Sequence, residues 1–394
     1  MLSVNDAIKI LLDNSKRLVE SEEIDLIEAS GRTLASNIIA PIDVPPADNS
    51  AMDGYAIRFA DWSDVDTGIP LSQRITAGSV PAELVSASAA RIFTGASVPP
   101  GADTVVMQEH CEESDGAVRI LKLPDQGANI RRQGQDLSTG QKVLSTGQRL
   151  RAQDLGLAAS LGIARVPVYR RLKVAVMSTG DELREPGDDI QPGQIYNSNR
   201  YTMKSQLAAW GFDVVDLGVA RDDPEVVSEM MLQAADQADV IITSGGVSVG
   251  EEDHVKAVVE SLGAINLWRI AVKPGKPFAF GQVRGTPFIG LPGNPVSVFV
   301  TLLVIARPYL FACQGTADTV VHPARHIALF EKKESLREDY LRVRALGAGV
   351  ELFSNQSSGV LFSTTWGDGL VRQSVGEEIH EGALVDFLPY AVFN

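Results

Sequence analysis

Between Asp239 and Val258 the chain reads DVIITSGGVSVGEEDHVKAV, and this stretch restricts the possible fold more than any other. The apolar run Val240-Ile241-Ile242 stops at Thr243-Ser244-Gly245-Gly246, and charge returns at Glu251-Glu252-Asp253 ahead of a pattern with helical spacing. That order predicts strand, glycine loop, helix. Gly245, Gly246 and Gly250 carry no Cβ and tolerate positive φ, so backbone N–H groups can close on an anion, phosphate being the obvious guest. Ser244, Gly245, Gly246, Ser248 and Gly250 are therefore candidate substrate-binding residues. The neighbouring carboxylates would repel a phosphate unless a divalent cation stood between, which points to Mg²⁺. A turn followed by an acidic helix start, favoured by the helix dipole, is the plainer alternative.

A chain of 394 residues, 44% hydrophobic and 22% charged, has room for two to four domains. Its net charge of −15 argues against binding nucleic acid through a bulk field, and any anionic ligand must be held by well-placed cations. Cys111 and Cys313 are the only cysteines, and the five histidines are scattered, so neither a disulfide framework nor a zinc cluster is expected. His322 and His326 are four apart, but Pro323 between them favours a loop over a ligand pair. Met1-Leu2-Ser3 opens straight into an amphipathic pattern with no export signal, and the apolar stretch Val296 to Ala306 is too short to span a bilayer. The expected location is the cytoplasm.

Ser3 can cap a helix whose apolar residues Val4, Ala7, Ile8, Leu11 and Leu12 form one stripe. Short strands are expected at 24–27 and 34–40, and Pro41, Pro45 and Pro46 mark a boundary. The turn-rich segment 45–58 holds Asp48, Asn49, Ser50 and Asp53, a composition that builds Asx-turns as readily as a site. A second polar loop, 94–103, begins at Thr94 after the strand Ala90 to Phe93, and a third, 129–136, ends at Asp136. Strands about every ten residues predict a β-rich domain over 40–139. From Leu172 strands alternate with helices, predicting a doubly wound α/β domain over 172–322, in which ligands lie beyond the carboxyl ends of the strands. The loops 178–182, 218–223, 244–253 and 290–295 all leave such ends. Lys273-Pro274-Gly275-Lys276-Pro277 places two cations on a stiff loop suited to pyrophosphate or another oxyanion, unless it is a solvated basic turn. Pro292 and Pro295 flank Gly293-Asn294 ahead of an apolar helix expected over 296–310. Neither GxGxxG after a strand nor GxxxxGK[ST] occurs, which gives no support to a dinucleotide fold or a P-loop. After Pro323 a small β domain closes the chain.

Taken in order, NSAMDGYAIR at 49–58, RIFTGASVPPGADTVVMQE at 91–109, STGDEL at 178–183, TSGGVSVGEEDHVK at 243–256, VKPGKPFAFG at 272–281 and GLPGNPVSVF at 290–299 resemble the molybdopterin molybdenumtransferase family of MoeA and the gephyrin E domain. The related pterin adenylyltransferases usually read TTGGTG in the glycine loop, where this chain has SGGVSVG. The resemblance implies an N-terminal helix, 1–20, packed on the α/β domain, an elongated linking domain from 21–39 and 140–171, and the C-terminal β domain, 323–394. It also implies a homodimer whose site is shared between subunits, with contacts to the adenylyltransferase and to downstream molybdoenzymes, and no nucleic acid or membrane partner. The implied reaction takes adenylylated molybdopterin and molybdate and cleaves the pyrophosphate bond with Mg²⁺, giving molybdenum cofactor and AMP. Carried over residue by residue, the resemblance gives Asp53, Thr94, Asp136, Glu182, Asp222 and Asp253 catalytic roles, with Glu182, Asp222 and Asp253 at the metal. Ser244, Gly245, Gly246, Ser248, Gly250, Lys273, Lys276, Pro292 and Pro295 would bind substrate. Asp222 is preferred narrowly over Asp223, and Gln135 stands where the family commonly has glutamate. Two alternatives stay open, an adenylyltransferase and a non-catalytic peptide-binding scaffold.

Overall fold

The computed structural model of the chain describes residues 1–62, 68–247 and 254–393, and the backbone alone of Leu267. The chain divides into two compact units, one of residues 1–36, 146–151 and 165–394, the other of residues 37–145 and 152–164. The segments expected to form a linking domain, 21–39 and 140–171, supply two strand pairs that fall one in each unit: Ser21–Asp25 with Arg165–Tyr169, and Ile38–Ile39 with Lys142–Leu144.

The larger unit opens with helix α1, Val4–Asp13, whose first turn is capped by Ser3: its hydroxyl accepts from the Asp6 N–H at 3.0 Å. Val4, Ala7 and Leu11 are buried. The central sheet contains β1 (Lys173–Thr179), β2 (Asp213–Ala220), β3 (Val240–Ser244), β4 (Gly263–Arg269), β5 (Pro277–Val283) and β6 (Thr286–Leu291), in the order β2-β1-β3-β6-β5-β4. The first four in that order run parallel, whereas β5 is antiparallel to both neighbours. The antiparallel edge arises because β5 joins β6 by a tight turn at Arg284 and Gly285, both at positive φ, which leaves no room for a crossover helix.

Alternate residues of the inner strands supply two cores. Val174, Val176, Val240, Ile242, Ile289 and Leu291 face α1, α2 (Ser198–Ala209) and the apolar helix after Asn294. Ala175, Met177, Ile241 and Phe288 face α3 (Pro224–Gln237) and α4 (His254–Leu262). Helix α5, Pro295–Thr301, passes through a π-helical stretch, Leu302–Ala306, and continues as Arg307–Cys313. It is therefore longer than its sequence pattern suggests. At 19 residues and mean hydropathy 2.0 it meets the length and composition of a membrane span, but 83% of that window is buried in the fold. Its apolar surface is taken up by the core.

In the last third, strands Ala324–Ala328, Glu338–Leu346, Gly349–Leu352, Gly369–Gln373 and Leu384–Pro389 pair round into a closed barrel. Leu341, Val343, Val350, Val371 and Phe387 lie in its core. His326 belongs to its first strand and packs on Phe387 with ring centroids 4.8 Å apart, so the loop expected around it is confined to the residues before Ala324. Residues 270–276 gather three distant segments. Leu2 donates to the Arg269 carbonyl and accepts from the Ala271 N–H, and Val272–Lys273 pairs with Glu338–Asp339. Gly275 lies against Thr301, where a Cβ would approach Cγ2 to 2.5 Å.

In the smaller unit, Thr104–Met107, Gly54–Ile57, Ala89–Ile92, Ile69–Ile75, Ala117–Ile120 and Cys111–Ser114 form a six-stranded sheet in that spatial order. Tyr55 and Ile57 pack on one face and Ala56 on the other. Gly54 is required by the pairing itself: a Cβ would lie 1.9 Å from the Val106 carbonyl oxygen.

Candidate active site

In the larger unit the site is built from loops that leave the carboxyl ends of the parallel strands. After β1, Gly180 adopts φ 148°, and the Glu182 carboxylate folds back over it; a Cβ at Gly180 would stand 2.4 Å from Glu182 Oε2. Asp181 and Asp222, from the loops after β1 and β2, face each other. Each backbone N–H donates to the other's carboxylate at 3.2 Å. Asp223 is engaged elsewhere: its carboxylate caps α3 by accepting from the Glu225 and Val226 N–H groups at 2.8 and 3.2 Å. Three acidic side chains, Asp181, Glu182 and Asp222, therefore stand exposed at the ends of neighbouring strands.

Next to them, β3 ends at Ser244, and Gly245 and Gly246 follow at φ 87° and 65°. The Gly245 N–H donates to the Leu291 carbonyl at 3.1 Å, tying this loop to the one after β6. A Cβ at Gly246 would meet Val255 Cγ2 at 2.3 Å, so only glycine lets the loop pack on α4. Pro292 is buried, and Pro295 starts α5 as its first helical residue. Asn199 Nδ2 donates to the Gly293 carbonyl at 2.7 Å. Ser178 Oγ lies 3.1 Å from Ser244 Oγ and donates to Asn197 Oδ1 at 3.4 Å.

Beside these loops Asn197 Nδ2 and Asn199 Oδ1 are buried without a hydrogen-bond partner among the described residues, as is Thr243 Oγ1 on the opposite face of the sheet, in register with Met177. Buried polar atoms are ordinarily paired, and the two asparagine atoms suit a polar ligand or ordered water. The sequence marks Asn197 and Asn199 only as helix caps. Asn197 does cap α2, accepting from the Arg200 N–H at 3.2 Å, and this role conceals the other. Ser248, Gly250 and Asp253 lie outside the described residues, as do Glu251 and Glu252.

The two lysines of the proline loop differ in setting. Lys273 Nζ lies 3.0 Å from Asp339 Oδ2, a fully buried carboxylate, whereas Lys276 is exposed. Much of the charge of Lys273 is thus used to offset Asp339, leaving Lys276 as the freer cation.

Among the described residues, no three acidic, imidazole or thiol groups converge as a ready-made metal cage. The facing pair Asp181 and Asp222, with Glu182 beside them, nevertheless fits Mg²⁺, which commonly takes one or two carboxylates and completes its shell with waters and substrate phosphates.

In the smaller unit Asp53 Oδ1 accepts from both the N–H and the hydroxyl of Thr94, each at 2.7 Å. Those two bonds, with the Arg91 charge in support, hold its carboxyl below the usual range. The polar loops interleave: Asn49 and Ser50 pair with Arg131 and Ile130, and Arg132 forms an ion pair with Asp48 at 2.6 Å. Asp136 is exposed, held by its N–H to the Val44 carbonyl at 2.9 Å. Gln135 accepts from the Arg132 N–H at 3.1 Å, closing a local turn that needs no charge.

An α/β sheet with a glycine loop and acidic strand ends, followed by a β barrel, defines a class of multidomain proteins built on a molybdopterin-binding domain. Three family models match in order: "MoeA N-terminal region (domain I and II)" over residues 2–162, "Probable molybdopterin binding domain" over 175–312 and "MoeA C-terminal region (domain IV)" over 330–390. The molybdopterin molybdenumtransferase of Haemophilus influenzae is 46% identical over 316 residues, 80% of this chain and 78% of that protein. The Nostoc protein of the same name is 37% identical over 330 residues, 80% and 76% of the two chains. The molybdopterin biosynthesis MoeA protein of Pyrococcus horikoshii has the same architecture, with TM-score 0.82 and 30% identity over 100% of this chain and 99% of its own. The chain belongs to the molybdopterin molybdenumtransferase (MoeA) family.

Proposed function

We propose that this protein inserts molybdate into adenylylated molybdopterin, releasing AMP and molybdenum cofactor. The observation that carries this reading is the juxtaposition, at the strand ends, of the Gly245–Gly246 loop, the buried Asn197 and Asn199 atoms without partners among the described residues and the acidic group Asp181, Glu182 and Asp222. A pyrophosphate ester needs backbone donors, a cation and polar contacts to its organic part, and these three groups correspond to those needs. Glu182 and Asp222, joined in this proposal by Asp253, would hold Mg²⁺, which when bound offsets the charge of the pyrophosphate. Lys276, with Lys273, would meet substrate oxyanions. The sulfur ligands of molybdenum belong to the pterin, so the two cysteines are not called on. The names and domain matches of the relatives favour this reaction over an adenylyltransferase or a peptide-binding scaffold.

We further propose a cytoplasmic homodimer in which Asp53 and Thr94 of one chain serve the α/β domain of the other, supplied by a molybdopterin adenylyltransferase and delivering to molybdoenzymes. Twofold symmetry would give two equivalent sites per dimer. Incubation with adenylylated molybdopterin, molybdate and Mg²⁺ should release AMP and leave molybdenum on the pterin, and a chelator should stop AMP release. No AMP from properly folded protein would refute the reaction. Mixed dimers of Asp53→Ala and Asp253→Ala chains should regain about half of wild-type activity, one site carrying both lesions and the other neither. Mixed dimers as inactive as the parents would show that sites are not shared.

A further inference from the structure

We infer that Arg74, seconded by Arg91, forms an anion contact in the β-rich unit that takes a phosphate group of the substrate. The ligand class rests on the reaction proposed above. Arg74 and Arg91 occupy the same register on adjacent parallel strands, Ile69–Ile75 and Ala89–Ile92. Like charges so placed repel each other, and a chain with net charge −15 has ample carboxylates with which to separate them. It does not do so. Both guanidiniums lie over the Phe93 ring, 4.7 and 4.6 Å from its centroid.

Arg91 is further held by neutral groups, donating to the Gly54 carbonyl at 3.0 Å and to Gln108 Oε1 at 2.7 Å. Arg74 is exposed, and its one contact among the described residues is that ring, so its hydrogen-bond donors remain free. An aromatic platform restrains a guanidinium while leaving its planar edge available, and that edge matches the oxygens of a phosphate. Phe93 directly precedes Thr94, the residue that fixes Asp53. The dibasic patch thus adjoins the loop assigned above to the reaction, where Arg91 already supports the charge of Asp53 and Arg74 adds a second cation.

The test is equilibrium titration of the full-length protein with inorganic pyrophosphate at low ionic strength without Mg²⁺, which requires no turnover. Arg74→Gln should weaken binding about tenfold and Arg74→Glu further, whereas Arg74→Lys, which keeps the charge but loses the planar fork, should fall between wild type and Gln. The differences should shrink near physiological salt, where the screening length is about 8 Å. Arg74→Glu binding as tightly as wild type, equal losses in the Lys and Gln variants, or no measurable wild-type binding would each overturn the contact. A wild type that binds pyrophosphate through Arg74 yet releases no AMP would refute the proposed reaction and leave the contact standing.

Discussion

Asp53 in the β-rich unit and Asp222 in the α/β domain are both loop carboxylates, but their surroundings differ. Asp53 has its charge met by the protein, with two short bonds from Thr94 to one oxygen and Arg91 within electrostatic range. Asp222 faces Asp181 and receives only one backbone N–H, with the Glu182 carboxylate nearby over Gly180. A satisfied carboxylate keeps its charge and orientation without help. Facing carboxylates repel, and a cation between them removes the repulsion. The contrast gives one loop a carboxylate fixed by its neighbours and the other the acidic group at which the proposed cation would sit.

The largest effect should come from damaging the demanding side. Gly246→Ala forces a Cβ into Val255 at a positive φ, and it should lower AMP release by about 100-fold or more while destabilising the domain by about 1–3 kcal/mol. Normal turnover would show that the glycine loop does not shape the site. Next, Asp222→Ala and Asp223→Ala should separate cleanly. The first should reduce AMP release about 100-fold without lowering the melting temperature, since it relieves the opposition to Asp181. The second removes a helix cap, costing about 1 kcal/mol of stability, and should leave turnover at saturating substrate intact. Reversed outcomes would mean that Asp223 is the functional aspartate.

A third experiment sharpens the comparison within the α/β domain. Asp216 is desolvated, which raises its pKa, but hydrogen bonds from Arg200 and Lys204 prevail and hold it at about 2. Because the folded value is depressed, its stabilisation is present above the unfolded pKa of 3.8 and disappears as pH falls toward 2. Asp216→Asn should therefore cost roughly 2 kcal/mol at pH 7, and the difference from wild type should shrink from about pH 4 downward and be lost only below about pH 2 in denaturant titrations. An unchanged difference at low pH would show that packing, not charge, is responsible. The smallest stability change is expected for Asp53→Asn. Its Oδ1 still accepts both Thr94 bonds, so melting at pH 7 should hardly move, while AMP release falls because the charge has gone. A large fall in melting temperature would assign Asp53 to the fold instead.

Local signals were the most legible. Ser3, Asn197 and Asp223-Pro224 announce helix starts because capping is decided within four residues. The apolar run ending at Thr243-Ser244-Gly245-Gly246 announces a strand end for a similar reason. Non-local partners were illegible. Asp339 lies 66 positions beyond Lys273, and nothing near either residue foretells the ion pair. The facing of Asp181 and Asp222 depends on β1 and β2 lying side by side, a property of sheet order and not of either loop. Strand Gly369–Gln373 is hidden in the sequence because Gly367-Asp368-Gly369 reads as a turn, while its partners, Glu338–Leu346 and Leu384–Pro389, are remote. Asn197 and Asn199 read in the sequence only as helix starts, since the burial of their side-chain amide atoms depends on the packing of α2 against the sheet.

The segment 270–276 has a bearing on the order in which the protein is made. It is in contact with Leu2, available from the start of synthesis, with Thr301 and with Glu338–Asp339. A ribosome that has just released Lys276 must add more than sixty further residues before Asp339 exists to receive its neighbour Lys273. Contacts of such separation form late and slow the final steps of folding. The lysine loop is thus completed only when the chain is nearly finished, and a prematurely terminated product would keep the glycine loop but lack the carboxylate that anchors Lys273.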